Sequence, residues 1–321
     1  MRTHEPELAD ASVAPLTRPA AGLSSDTCFV TVAGAVGTRE FVLRLPPAGA
    51  GLFPEYDLRA QVEFQNLLSR SGIPVPTPAR YEPDVAWLGV PFMVMPRVDG
   101  RVVTTNPAYV RAGWLFDAPP AQQAATMKSF LETLARLHRR TPTPPTRAGL
   151  GELGRWSEYL EWAGTGAAIP GYLQRARDWC TANVPDMTGP SVALWGDVQL
   201  ANCVFSPDGS VAALLDFELA GTGPPEMDLA WFLALHDMTV IANGGDLPGF
   251  GDRAEMIATY EQAAGRTVEA LHWHEVFALL RSGSIMVRIA RLLAAKGVDD
   301  SWLTRGNPTE HALTRRIGPT A

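Results

Sequence analysis

The sequence predicts an α+β fold made of a small β-rich N-terminal part and a larger, mostly helical C-terminal part. Up to about residue 98, apolar residues alternate between turn signals, with one helical segment embedded among them. From about residue 120, apolar residues mostly recur at helical spacing, interrupted by a short β-rich segment at 191–217. The 321 residues, 46% of them hydrophobic, are enough for one large or two ordinary domains with a substantial core.

The N-terminal part begins with residues 1–20, which are polar and rich in proline and are expected to form a flexible segment. Cys28–Ala33 and Glu40–Leu45 have the apolar, β-branched character of strands. Asp57 is placed to cap a helix that runs to about Arg70. A further pair of strands is expected between about 79 and 98.

The C-terminal part is expected to begin near residue 98, so that 21–97 and 98–321 form the two domains. Its β-rich segment is expected to hold the strands Val192–Leu194, Cys203–Phe205 and Val211–Leu215, the last two joined by a Ser-Pro-Asp-Gly turn. Helices are expected at about 120–140, 153–163, 170–183, 226–237, 252–264 and 272–296.

Composition excludes several functions. The net charge is −7, and without a basic run the chain lacks the surface that binds nucleic acid. Neither lysine, Lys128 or Lys296, follows a glycine as a P-loop requires.

Three separated cysteines argue against a disulfide framework or a zinc site and for a reducing compartment. No apolar run approaches the ~18 residues that span a bilayer, so no membrane partner and a cytoplasmic location are expected. Nothing here specifies an oligomeric state.

Three polar residues stand at the ends of the apolar segments in 191–217. Asp197 follows the first strand, Asn202 precedes the second, and Asp216 follows the third. Such side chains commonly cap turns, which is the simpler interpretation. If they converge, however, their oxygens suit Mg²⁺, which usually takes one or two carboxylates from a protein and the rest of its ligands from water and phosphates. A carboxylate left free of metal can accept a proton from an attacking hydroxyl, as phosphoryl transfer requires.

Three motifs in this region carry a resemblance to a known family. They are Trp195-Gly196-Asp197-Val198-Gln199-Leu200-Ala201-Asn202, Asp216-Phe217-Glu218 and Pro225-Glu226-Met227-Asp228-Leu229-Ala230-Trp231. In order and spacing they are similar to the catalytic loop, the metal-binding motif and the helix start of the aminoglycoside phosphotransferase-like small-molecule kinases. The resemblance covers roughly residues 22–300 and implies the two-lobe fold of the protein-kinase-like superfamily.

The resemblance implies roles for the motif residues. Asp197 would be the catalytic base toward the acceptor hydroxyl, and Asn202 and Asp216 would hold the metal ion. Trp195 replaces a histidine that orients the loop, a role that a packed indole with one N–H donor can fill. Asp228 would brace the catalytic loop, although it could also cap the helix that follows.

The resemblance also implies a nucleotide site in the N-terminal lobe. A turn there would meet the phosphates, a charged pair would grip them, and a hinge would bind adenine through its backbone. Arg44 stands where the family has a lysine. The change Arg44→Lys is therefore expected to preserve or improve turnover, although the arginine side chain can bind a phosphate through two N–H groups at once. The residues assigned are Ser24, Ser25 and Thr27 in the turn, Arg44 with its ion-pair partner Glu63, and Met95 and Arg97 in the hinge.

The sequence therefore predicts an ATP- and Mg²⁺-dependent kinase that phosphorylates a hydroxyl of a small molecule. Acceptors of the family that the resemblance allows include aminoglycoside-like antibiotics, sugars, amino-alcohols and hydroxyacyl thioesters. Arg281, Arg288 and Arg291 share one side of the last predicted helix and form either a solvated face or a site for an anionic group. The alternative function is a catalytically silent kinase-like module that binds nucleotide or ligand without transfer.

Overall fold

A computed structural model describes residues 11–18, 25–34, 37–143, 148–166, 168–186, 189, 191–299, 301 and 305–318. The chain forms two compact units. The first comprises Met1–Asp99 together with Ala212–Glu218, and the second comprises Gly100–Val211 and Leu219–Ala321. The division at Asp99 lies two residues beyond the expected boundary, and the sequence did not predict that 212–218 belongs with the N-terminal unit.

The first unit is built on a five-stranded antiparallel sheet. Its strands are β1 (Ser12–Val13), β2 (Asp26–Gly34), β3 (Gly37–Leu45), β4 (Arg80–Glu82) and β5 (Phe92–Pro96). They lie in the order β1-β2-β3-β5-β4. The strand β1 lies inside the segment expected to be flexible and pairs with β2 through Ser12 and Ala33. The helix α1 spans Leu58–Arg70.

Two apolar clusters hold this sheet together. Cys28, Val30 and Val32 alternate along β2 and are buried in one cluster with Leu43, as the period of a strand requires. The second cluster joins α1 to β5, and the side chain of Asp57 begins that helix by accepting the N–H of Ala60 at 2.9 Å. The capping role predicted for Asp57 is therefore confirmed. This packing holds the strand that carries Arg44 between neighbours on both sides.

The second unit is mostly helical. Its helices are α2 (Pro120–Arg140), α3 (Ala148–Ala163), α4 (Gly171–Ala182), α5 (Glu226–Asn243), α6 (Arg253–Ala264), α7 (Leu271–Ala294) and α8 (Pro308–Ile317). The helix α8 was not predicted, and α5 extends six residues beyond its expected end. In the described part of the chain, no helix is both long enough and apolar enough to cross a membrane.

The second unit also contains a three-stranded antiparallel sheet. Its strands are β6 (Pro142–Thr143), β7 (Ser191–Leu194) and β10 (Gly221–Gly223), in the order β10-β7-β6. Two further strands, β8 (Cys203–Phe205) and β9 (Val211–Leu214), pair with each other. All four residues of β7 are buried, and α7 contacts α3, α4, α5 and α8. The loop that follows β7 therefore begins from a buried strand.

Candidate active site

The loop after β7 depends on a glycine at its first bend. Gly196 has φ +87°, and a Cβ atom there would collide with the backbone carbonyl oxygen of Leu219. The following residues reach a short 3-10 turn at Leu200–Asn202. Any larger residue at 196 would therefore displace the loop that carries Asp197.

A buried carboxylate braces this loop from the start of α5. Asp228 is fully buried and accepts the backbone N–H groups of Trp195 at 2.7 Å and Gly196 at 2.9 Å. His138 Nε2 lies 3.1 Å from the same carboxylate, and the hydroxyl of Tyr260 lies 2.7 Å from His138 Nδ1. Since Pro225 occupies the N-cap position, Asp228 is not the cap of the helix. These contacts support the bracing role of Asp228 and add what the sequence did not predict, that His138 and Tyr260 lie behind it.

The carboxylate of Asp197 is oriented by three donors. Trp231 Nε1 donates to Oδ1 at 3.0 Å, while Asn202 Nδ2 and Gln199 Nε2 each donate to Oδ2 at 2.8 Å. Asn202 Nδ2 also donates to the backbone carbonyl of Asp197 at 3.1 Å. The sequence singled out Asp197 and Asn202, and it placed Trp231 in a motif without giving it a role. The donors fix the direction in which a hydroxyl could meet the carboxylate.

Arg281 lies beneath the same loop instead of on a solvated face. Its side chain is buried between the rings of Trp231 and Trp156, at 4.5 and 4.9 Å from their centroids, and Nη2 donates to the carbonyl of Gly196 at 3.2 Å. Burial lowers the pKa of Arg281 to about 10. The guanidinium supports the loop and is not exposed to receive an anionic acceptor group.

In the first unit, Arg44 is held by a hydroxyl and two carboxylates. Its Nε and Nη2 donate to Ser25 Oγ at 3.1 and 2.8 Å, and Nη1 lies 2.9 Å from Asp216 Oδ1. Nη2 is also 3.7 Å from Glu218 Oε2. The structure therefore brings together Ser25, Arg44 and Asp216, three of the residues that the resemblance assigned.

The pairing of Arg44 with Glu63 is wrong. Glu63 is exposed, whereas the buried face of α1 is formed by Leu58, Gln61, Val62, Gln65 and Leu68. At 100° per residue, position 63 points about 140° from position 58 and thus away from that face. Arg44 takes its acidic partners from Asp216 and Glu218 instead.

The remaining nucleotide-site residues are placed as follows. Thr27 lies opposite Arg44 in the β2–β3 register. Met95 is buried in β5, and the backbone N–H of Arg97 is already bonded to the carbonyl of Glu40 at 2.9 Å. The side chain of Arg97 contacts Glu40 and covers the ring of Phe29. Ser24 lies outside the described residues.

The backbone of Asp216, a candidate metal ligand, lies in the left-handed region. Its φ is +60°, a conformation that is uncommon outside glycine and that clusters at functional sites. Phe217 packs on Phe64 of α1 at 5.5 Å between ring centroids.

Among the described residues no three His, Cys, Asp or Glu side chains group as a metal site. One carboxylate from Asp216 and one amide oxygen from Asn202 are ligand types that Mg²⁺ takes from proteins, and their assignment as its ligands stays a prediction.

A cavity of about 520 Å³ opens beside the loop that carries Asp197, within the second unit. Its wall includes Gln199–Ala201, residues of α5, and the start of α8 at 307–309. Gln199 contributes to this wall and also donates to Asp197, so the cavity adjoins the candidate base. Its volume falls in the range of small-molecule sites, roughly 300–1,000 Å³. The cavity is therefore a candidate site for an acceptor.

The chain is similar in sequence to known phosphotransferases and to part of a longer human protein. Residues 15–274 match the model of the phosphotransferase enzyme family. Acyl-CoA dehydrogenase family member 11 of Homo sapiens is 28% identical over 308 residues, which cover 91% of this chain and 37% of that protein. The chain thus spans little more than a third of the length of this curated relative.

Solved structures with the same fold are more distant in sequence. An ethanolamine kinase of Plasmodium vivax is 11% identical with a TM-score of 0.58, over 88% of this chain and 77% of that one. A thermostable mutant of an aminoglycoside phosphotransferase, in ternary complex with ADP and hygromycin B, is 14% identical with a TM-score of 0.60, over 99% of both chains. The predicted α+β, protein-kinase-like fold is confirmed.

Proposed function

The chain belongs to the phosphotransferase enzyme family, and we propose that it transfers the γ-phosphate of ATP, with Mg²⁺, to a hydroxyl of a small molecule. The family supports phosphate transfer, and the fold is shared with a kinase of a small molecule, the ethanolamine kinase of Plasmodium vivax. The observation that carries the rest is the carboxylate of Asp197, oriented by three donors on a loop braced by Asp228. A positioned carboxylate beside a cavity suits a base that prepares a hydroxyl for attack.

In the proposed reaction Asp197 accepts the proton of the acceptor hydroxyl. The hydroxyl oxygen forms a bond to the γ-phosphorus while the bond from that phosphorus to the β,γ-bridging oxygen breaks, and ADP leaves. Trp231 and Gln199 hold the two carboxylate oxygens in place, so little reorganisation is needed as the proton moves. Gly196 and Arg281 keep the loop backbone in position.

Several of the assigned residues would bind the nucleotide and its metal ion. Arg44, steadied by Ser25, would bind phosphate oxygens with its planar guanidinium. Asn202 and Asp216 would hold Mg²⁺, which when bound neutralises charge on the phosphates. The pairing of Arg44 with Asp216 supports this assignment, because it brings a cation suited to phosphate and a carboxylate suited to Mg²⁺ side by side in the first unit.

The acceptor we favour is a hydroxyacyl thioester. The human relative's name refers to an acyl-CoA dehydrogenase, which points to acyl-thioester chemistry in that protein. The cavity adds independent support because, within the described residues, its wall carries no Asp, Glu, Lys or Arg side chain. A polycationic antibiotic would find no carboxylate there, whereas an acyl chain would be buried.

The test is an acceptor screen with a catalytic variant. Purified protein is incubated with ATP, Mg²⁺ and a panel of hydroxyacyl thioesters, sugars, amino-alcohols and aminoglycosides, and compounds that gain the mass of a phosphate are identified by mass spectrometry. Asp197→Asn should lower kcat by about 10²- to 10⁴-fold, the usual contribution of a general base. The exposed turn residue Asp208, changed to Asn, is the matched control and should retain kcat.

Two results would contradict the proposal. Full transfer by Asp197→Asn would remove that residue as the base. Binding of ATP and Mg²⁺ in a thermal-shift titration, with no compound phosphorylated across the panel, would favour the silent binding module.

A further inference from the structure

The cavity beside the catalytic loop has a wall suited to an uncharged aliphatic compound. Leu200, Phe232, Leu235, Met238 and Met286 supply apolar surface. Asp, Glu, Lys and Arg are absent from the described residues that line it. Transfer of an ammonium group to such a wall would be costly because no carboxylate on the wall pairs with it. The cavity therefore selects against polycations.

One corner of this wall is polar and is held by a buried chain of hydrogen bonds. The hydroxyl of Tyr109 lies 2.6 Å from His236 Nδ1, and His236 Nε2 lies 2.8 Å from Asp246 Oδ2. Asp246 is itself fixed because its Oδ1 accepts the N–H of Leu247 at 2.7 Å. Thr239 lines the cavity beside Tyr109.

The hydrogen-bonded series of Tyr109, His236 and Asp246 determines which atom donates and which accepts at each step. The carboxylate of Asp246 can only accept, so Nε2 of His236 carries a proton, and in the neutral imidazole Nδ1 accepts the hydroxyl of Tyr109. The hydroxyl of Thr239 donates within the protein, either to the carbonyl of Leu235 at 2.9 Å or to the Tyr109 oxygen beside it. Burial, followed by the charge of Asp246, raises the pKa of Tyr109, so its phenol stays protonated. Both corner oxygens therefore act as hydrogen-bond acceptors toward a bound compound.

We propose that the acceptor compound places an uncharged aliphatic part in this cavity, where a hydroxyl or amide N–H of the compound donates to the corner formed by Tyr109 and Thr239. His236 and Asp246 are positioning residues that keep the Tyr109 oxygen as an acceptor. The assignment of this compound as the phosphorylated acceptor rests on the proposed function, and Gln199 supports it because it connects the cavity wall to Asp197. The binding itself requires no nucleotide.

The test uses three probes of one chain length, titrated without ATP and followed by NMR. Hexane-1,6-diol is neutral and donates hydrogen bonds, 1,6-dimethoxyhexane is neutral and only accepts them, and 1,6-diaminohexane is a dication. The diol should bind about fivefold more tightly than the diether, since one neutral hydrogen bond contributes about 1 kcal/mol. The diamine should bind more weakly than the diol.

Two variants separate a specific role from a structural one. Tyr109→Phe removes the acceptor oxygen but keeps the ring that stacks on His236, so the diol should lose its advantage while the diether is unaffected. Asp246→Asn can donate to Nε2, which places the imidazole proton on Nδ1 and turns the Tyr109 hydroxyl toward the cavity. This variant should reverse the preference in favour of the diether, an effect that a general loss of stability would not produce.

The control is Tyr159→Phe, a buried tyrosine of α3 that does not line the cavity and whose loss should leave all three affinities unchanged. Equal binding of diol and diether to the wild-type protein, tighter binding of the diamine, or no saturable binding of the diol would each overturn the proposal. Failure of phosphate transfer in the acceptor screen, with the probe preferences intact, would instead contradict the proposed function.

Discussion

At the scale of single residues, Arg44 shows how one side chain can satisfy several partners. Its guanidinium uses three nitrogens to reach Ser25, Asp216 and Glu218. The sequence alone suggested that lysine would serve as well or better, because the family has lysine at this place. The structure argues against that expectation, since a single ammonium cannot reach a hydroxyl and two carboxylates on different sides at once.

We therefore expect Arg44→Lys to raise the KM for ATP about tenfold. The physical reason is the loss of one charge-assisted hydrogen bond, which contributes about 1.5 kcal/mol. Steady-state kinetics at varied ATP, once an acceptor is known, measures the change. Arg39→Lys, an exposed change on the same strand, is the control and should leave KM unaltered. An unchanged or lower KM in Arg44→Lys would restore the original expectation.

At the scale of elements, hydrogen bonds join the start of α5 to the loop after β7. Asp228 accepts two loop N–H groups, and Trp231, one turn later, donates to Asp197. Arg281 of α7 reaches the same loop through Gly196. The geometry around Asp197 is thus set by two helices that pack on each other, not by the loop alone.

Asp228→Asn should lower kcat by roughly 10- to 100-fold and also destabilise the protein. Asparagine has one acceptor oxygen, so a buried N–H of Trp195 or Gly196 would face an amide group at a cost of about 1–3 kcal/mol. Kinetics and urea unfolding measure the two effects.

The matched control for that variant is Asp237→Asn, on the same helix, where the carboxylate pairs with Arg253 and Arg316. It should lose stability with little change in kcat. If both variants lose equal stability and neither loses kcat, Asp228 does not position the loop.

At the scale of the whole molecule, a buried histidine makes stability depend on pH. His274 lies in the core on α7, and burial lowers its pKa from 6.5 to about 4. The unfolded chain takes up a proton as the pH falls below about 6.5, whereas the folded chain does so only near 4. The free energy of unfolding contributed by this group is therefore present at neutral pH and is lost as the pH falls through that window.

Between pH 7 and 4, His274 should account for a loss of up to about 3 kcal/mol in the free energy of unfolding. Urea unfolding at a series of pH values measures it. His274→Gln should flatten the curve in this window, because glutamine does not titrate. His272→Gln removes an exposed histidine two residues away and should leave the curve unchanged. An identical pH dependence in wild-type and His274→Gln proteins would rule out this group as the cause.

Local patterns were sufficient for much of the fold and for part of the site. Apolar periodicity located the main helices, and the cap at Asp57 follows from short-range chemistry. The short strand at Ser12–Val13 was not predicted because two residues carry no period of their own and depend on a partner far away in the chain. The helix α8 was missed although its start carries local signals: the side chain of Asn307 accepts the N–H of Glu310 at 2.9 Å, and Pro308 begins the helix. For Glu63 the charge was noticed, but the phase of its helix points the side chain to solvent.

The sequence by itself determined the kinase-like fold, the motif around Asp197 and the identities of Asn202, Asp216 and Asp228 as candidates. These follow from residue types at fixed spacing, which the chain carries locally. Only the tertiary structure decided that Arg44 pairs with Asp216, that His138 stands behind Asp228, and that Arg281 is buried under the loop. Each of these joins residues 85 or more positions apart, and burial, not spacing, determines which polar groups must find one another.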